Sequence, residues 1–124
     1  VILVDEWQDY QRWAPELLKI ADERFYPRGW LDGEVWSGRA RFWCNEKAAI
    51  VARFEVYPSG ARAVHGLCAA GEACEVRKLI PAAEAWGREL GAVVAEIDSR
   101  IGWAKVLDED GYSLHQSRLR KELA

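Results

Sequence analysis

Histidine, cysteine and arginine side chains carry most of the chemistry open to this sequence. His65 and His115 are the only histidines, and each falls in a stretch that reads as a β-strand. A strand histidine is either a hydrogen-bonded partner or a base. No cysteine or serine near it in sequence marks a nucleophile–base pair, although such partners meet in space. Cys68 precedes a predicted helix, and a helix N-terminus can lower a thiol's pKa enough to make a thiolate nucleophile. Glu72 and Glu75 work against that. Cys68 and Cys74 are six residues apart, wider than the gap of roughly two to four in a zinc knuckle. No metal site is expected, and the three cysteines read as reduced, small apolar side chains. Arg100 follows a predicted strand end beside Gly102, where an open α/β sheet places its ligands. It could meet a phosphate or a carboxylate, or bridge to Asp98 or Glu96.

The elements that must position these residues follow from periodicity. Asp5 is a candidate N-cap, and Glu6 to Arg24 has helical spacing, with Trp13, Leu17, Ile20 and Ala21 on one face. Pro15 lies inside that run, so two helical pieces are expected, the second opening at Pro15. Phe25 to Gly33 reads as a packed loop. Ala40 to Cys44, Ala49 to Tyr57 and Ala61 to Cys68 alternate as strands, separated by Asn45-Glu46-Lys47 and Pro58-Ser59-Gly60. They predict an antiparallel meander. Ala69-Ala70-Gly71 breaks the alternation. Val76, Leu79, Ile80, Ala83, Trp86 and Leu90 then mark a helix over Glu75 to Leu90. Val93 to Ile97 is a strand, and Trp103, Val106 and Leu107 mark a short helix. Gly111 stops it, and Tyr112 to Leu119 reads as a last strand.

The chain has 124 residues, one domain by length, and a net charge of −3. That charge argues against a general nucleic-acid binder. No run approaches the roughly 18 apolar residues of a membrane helix, and no signal-peptide pattern opens the sequence. A cytoplasmic protein is the expectation. Seven tryptophans are many for this length and predict core or interface anchors. The last strand would be a sheet edge that Arg118, Arg120 and Lys121 guard, but the abundance of tryptophan suggests an apolar patch elsewhere, so a homodimer is expected.

An antiparallel meander followed by helix, strand, short helix and strand resembles the GNAT acyltransferase superfamily, from about Arg39 onward. The stretches from Ala83 to Ala92 and from Ser99 to Tyr112 are similar to small GNAT-like proteins of phages and prophages. The resemblance implies one α/β domain with a mixed central sheet, and an acetyl-CoA-dependent N-acetyltransferase acting on a protein or small amine. It implies that Cys68-Ala69-Ala70-Gly71-Glu72-Ala73, with Leu67 before it, holds the cofactor through backbone amides and a helix N-terminus. Arg100 joins that set. The family loop opens on a basic or amide residue where this chain has Cys68, and Glu72 and Glu75 add carboxylates. The family's usual tyrosine, four residues before the helix-ending glycine, is Leu107 here. Tyr112, which follows Gly111 and reads as the aromatic that begins the last strand, is carried as the catalytic tyrosine, and Glu55 on the second strand is the candidate general base. These departures keep a second reading open: a non-catalytic binding or structural module that has lost cofactor binding.

Overall fold

The computed structural model describes residues 3–20, 22–27, 29–99 and 102–123. Helices α1 (Val4–Leu17) and α2 (Trp30–Ser37) precede strands β1 (Ala40–Cys44), β2 (Ala48–Val56) and β3 (Arg62–Gly71). Helix α3 (Ala73–Glu89), strand β4 (Val94–Ile97) and helix α4 (Gly102–Val106) follow, then a 3-10 turn over Asp108–Asp110. The sheet order is β1-β2-β3-β4. The first three strands are antiparallel, and β4 runs parallel to β3 across the α3 crossover. This is the expected mixed α/β sheet flanked by helices.

Strand alternation divides the core into two layers. Ala49 and Val51 of β2 face α1 and α2, where Tyr10, Leu17, Leu31 and Val35 are buried. Ile50 and Ala52 face the other way, toward Val76 and Ala83 of α3. Tyr10 is wholly buried and donates its hydroxyl to Asp32 Oδ1 at 2.5 Å, tying α1 to α2. Burial, then that hydrogen bond, raises the Tyr10 pKa far above the phenolic range. Gly87 lets α3 close on the sheet: a Cβ there would lie 2.8 Å from Cβ of Val64.

Four expectations are corrected. Pro15 does not divide the first helix; α1 passes through it and tightens into a 3-10 turn at Leu18–Ile20. Burial of Tyr10 and Leu17 on either side of it holds the helix where propensity alone would break it. The N-cap is Leu3, and Asp5 lies in the first turn, where a carboxylate suits the helix dipole. The loop expected to Gly33 ends at Gly29, and α2 begins at Trp30. Leu31 and Val35, four apart and both buried, are the helical signal that Pro27, Gly29 and Gly33 obscured.

The fourth correction is at the C-terminus. Residues 112–123 form no regular element, so the strand expected over Tyr112 to Leu119 is absent. Leu114, Leu119 and Leu123 are exposed and bury nothing that would offset the cost of ordering a strand. The segment is held by side chains instead. Arg24 pairs with Glu122 at 3.0 Å, and the Arg120 guanidinium stacks over the Phe25 ring at 4.9 Å.

Candidate functional site

The site is made by a mismatch in strand length. β3 has ten residues and β4 has four, and their register runs only from Ala63↔Val94 to Gly66↔Ile97. Past Gly66, β3 continues to Gly71 with β2 alone beside it. The β2 register also skips Leu67, passing from Val51↔Cys68 to Ala52↔Gly66. Such a bulge leaves one residue unpaired and bends its strand. β3 and β4 therefore part at Leu67.

Two voids meet at this fork. On the α3 side a slot of about 310 Å³ runs between Leu67–Ala69 and Ile97–Ser99, walled by Val76, Ile80 and Trp103. Its lining is overwhelmingly apolar. On the α1 and α2 side lies a cleft of about 700 Å³, lined by Tyr26, Trp30, Arg53, Glu55, Tyr57 and His65, among others. Leu67, Ile97, Trp103 and Tyr112 border both voids. The two voids thus share part of their walls where the strands part.

The proposed cofactor run is not a loop. Cys68, Ala69, Ala70 and Gly71 stay in β3, because Ala48 to Val51 of β2 pairs with all four. Ala69 borders the slot, while Ala70 packs into the α1 layer. Gly71 is pressed against the β1–β2 turn with φ +99°. Glu72 is the N-cap residue of α3 by backbone, and its amide donates to the Lys47 carbonyl at 3.1 Å. Its carboxylate is exposed, 4.0 Å from Lys47 Nζ. Glu75 accepts from Asn45 Nδ2 at 3.3 Å and pairs with Lys78 at 3.2 Å. Ala73 opens the helix, so its amide and that of Cys74 stand ahead of the helical ladder, free in direction to meet an anion. Arg100 lies outside the described residues.

Burial pushes the Cys68 thiol up to about 12, so it is no ready thiolate. At pH 8 that leaves roughly one thiol in ten thousand ionised. Cys74 is exposed. Brief alkylation of the native protein, mapped by mass spectrometry, is expected to label Cys74 and spare Cys68; equal labelling would contradict the packing.

In the cleft, Glu55 Oε1 accepts from Arg53 Nε at 3.1 Å and Nη2 at 2.7 Å. Tyr57 donates its hydroxyl to Glu96, a bond that pushes the phenol up to about 12. His65 Nε2 is 3.3 Å from Asp98 Oδ2. Tyr112 donates to Glu84 Oε2 at 2.7 Å, and burial, then this bond, raises its pKa beyond the ordinary phenolic range. Glu84, Tyr26 and Trp30 were given no site role from the sequence, and Glu96 and Asp98 entered only as possible bridges to Arg100. The signal available was Glu96 and Asp98, two apart at the end of a predicted strand and so on one face. No cluster of three metal-ligating side chains occurs among the described residues, and no helix there is long and apolar enough to cross a membrane.

No family model matches the sequence, and no curated protein matches it. Solved structures do. Glucosamine-6-phosphate N-acetyltransferase from Arabidopsis thaliana is 12% identical, with a TM-score of 0.68 over 96% of this chain and 95% of that one. Aminoglycoside 6'-N-acetyltransferase from Acinetobacter haemolyticus is 11% identical, with a TM-score of 0.68 over 99% and 95%. Ribosomal-protein-alanine N-acetyltransferase from Brucella melitensis is 12% identical, with a TM-score of 0.63 over 96% and 95%. The chain has the GNAT acetyltransferase fold.

Proposed function

We propose that this protein is an acetyl-CoA-dependent N-acyltransferase whose acceptor is an amine, on a small molecule or a protein. The observation that carries the reading is the fork at Leu67, where an apolar slot on one face shares its wall with a polar cleft on the other. A transfer between two bound molecules needs two pockets that touch at one point, because holding both reactants in line removes much of the entropic barrier. The slot suits the apolar reach of a pantetheine arm. When bound, acetyl-CoA supplies the activated acyl group as a thioester.

The chain's own residues do the rest. The amides of Ala73 and Cys74 at the start of α3 would hold phosphate, with Lys47 adding charge across the turn. Leu67 is left out of the β2 register, and its backbone N–H would be the donor to polarise a carbonyl placed at the fork. Tyr112 borders both voids and stays protonated at neutral pH; its hydroxyl donates to Glu84 and would have to turn from it to give a proton to a leaving thiolate. Arg53 and Glu55, paired in the cleft wall, orient the acceptor.

The non-catalytic reading draws on a specific observation. Glu72 and Glu75 stand at the start of α3, where the cofactor's phosphates would lie. Calorimetric titration with CoA and acetyl-CoA separates the two. Saturable binding of about one equivalent, with a matching rise in Tm, is expected of the acyltransferase. The Glu72→Gln variant should bind more tightly, since it removes a like charge from an anion site. Silence in both proteins, with the fold intact by circular dichroism, would leave the binding-module reading standing.

A further inference from the structure

We propose that the ion pair of Arg24 with Glu122 determines acceptor specificity. It buckles residues 113–119 against the acceptor cleft as a strap that admits a small amine when fastened and a lysine within a peptide when released. The proposal rests on the acyltransferase reading. One wall of the cleft holds Tyr26 and Trp30, and another is the run Ser113 to Arg118, every residue of which lines it. That run has no regular structure. Leu114 is 61% exposed and Leu119 94%, so apolar burial does not fix it. Among the described residues, no side chain from Ser113 to Leu119 makes a hydrogen bond or an ion pair.

The run is held at its two ends instead. At the near end the Tyr112 amide donates to the Leu107 carbonyl at 3.2 Å, and its hydroxyl donates to Glu84. At the far end Arg24 donates to both carboxylate oxygens of Glu122, from Nη1 at 3.2 Å and from Nη2 at 3.0 Å, a forked pair. The Phe25 ring beside it lies 4.8 Å from the Arg24 guanidinium and 4.9 Å from that of Arg120. Two guanidiniums so close to one ring repel each other unless anions stand by. Glu122 is one, and Asp22, which Arg24 Nη2 meets at 3.2 Å, is the other. The buckle therefore fastens the residues just before Tyr26 to those just after Arg118, and so ties one cleft wall to the other.

A strap fastened only at its ends by exposed charges is easily released, because such pairs are weak and salt screens them. Fastened and released forms then coexist. A small amine fits the cleft of about 700 Å³ with the strap in place. A lysine within a peptide brings flanking backbone that needs the space the strap occupies. An acceptor that binds only the released form loses apparent affinity in proportion to how rare that form is, about tenfold when it is one molecule in ten. Breaking the buckle restores that factor for the peptide and gives nothing to the small amine. Glu122→Arg breaks it most directly, since it sets a third guanidinium beside Arg24 and Arg120 with Asp22 alone to balance them. The Glu122 side chain is 62% exposed, so the fold does not depend on it.

The test combines nitrogen-15 order parameters of residues 113–119 without ligand, CoA calorimetry, and thiol release from acetyl-CoA. The probe acceptors are benzylamine and an N-terminally acetylated peptide with a single lysine. Order parameters near the rigid-backbone value of about 0.85 are expected in wild type, falling below about 0.6 in Glu122→Arg. CoA should bind both proteins alike. The ratio of kcat/KM for the peptide to that for benzylamine should rise about tenfold in Glu122→Arg. Sodium chloride at about 0.5 M should move the wild-type ratio the same way and leave that of Glu122→Arg where it is. A ratio that rises less than about threefold in Glu122→Arg overturns the proposal. So does a segment already disordered in wild type, or one that stays ordered in Glu122→Arg. Wild type that binds CoA and releases no thiol with either acceptor overturns it too. Wild type that binds no CoA overturns the acyltransferase reading itself, a result the calorimetry reports separately.

Discussion

Gly71→Ala is expected to cost about 3 kcal/mol of stability, read as a fall in Tm of roughly 6–15 °C by differential scanning calorimetry. The reasons are independent and add. A Cβ at Gly71 would lie 2.1 Å from the Lys47 carbonyl oxygen and 2.7 Å from Cα of Ala48. Both are backbone atoms in a paired strand and its turn, so neither can rotate aside. The φ of +99° is a conformation that costs an L-residue roughly 1–2 kcal/mol even in open space. Relief would require β3 to pull away from the β1–β2 turn at Ala48↔Gly71, the last rung of the ladder. The start of α3 would move with it, since the Glu72 amide donates to the same Lys47 carbonyl. A Gly71→Ala protein melting within 2 °C of wild type would contradict this packing. The glycine that the family resemblance assigns to phosphate contact is thus also required by the close approach of two backbones.

Much of the fold was legible because its signals are local. The alternation of Ile50, Ala52 and Phe54 against Val51 and Arg53 marked β2, and the stripe from Val76 to Trp86 marked α3. The crossover from β3 to the parallel β4 followed from their order. What was not legible depends on contacts distant in sequence. Nothing near Pro15 says that Tyr10 and Leu17 will be buried on either side of it. Nothing near Ala69 says that Ala48 to Val51 will extend β3 to Gly71. The alternation of Leu114 with its neighbours looks like strand, but β-propensity counts only where a face is buried, and here none is.

The site shows the same division. Cys68, Leu67 and Tyr112 were found near the fork by element order. Glu84 was not, and Glu96 and Asp98 were named only as bridges to Arg100, because a carboxylate's role is set by what faces it. Asp98 stands beside His65, 33 residues earlier in the chain, and the two meet only because β4 lies parallel to β3. Sequence spacing carries no trace of such a pair unless the register is known.

The register also predicts how to close the slot without unfolding the protein. Gly66 is the last β3 residue paired with β4 and borders the slot at the fork. Its backbone is not in the positive-φ region, and a Cβ there would sit 3.4 Å from Ile97 Cγ1, an ordinary contact. Gly66→Leu should therefore fold. Its remaining carbons must go where the apolar slot now is, since Gly66 shares a face with Val64, which packs toward α3. A ligand threading the fork would meet them. The expected loss of CoA and acetyl-CoA affinity is about 2 kcal/mol or more, roughly thirtyfold in Kd. Leu119→Ala, at a position almost fully exposed and remote from the slot lining, should leave affinity unchanged. Calorimetric titration of the three proteins, with circular dichroism to confirm the fold of each, decides the matter. If Gly66→Leu is folded and binds CoA like wild type, the ligand does not pass through the fork, and the arrangement of two pockets meeting at Leu67 would have to serve something other than acyl transfer.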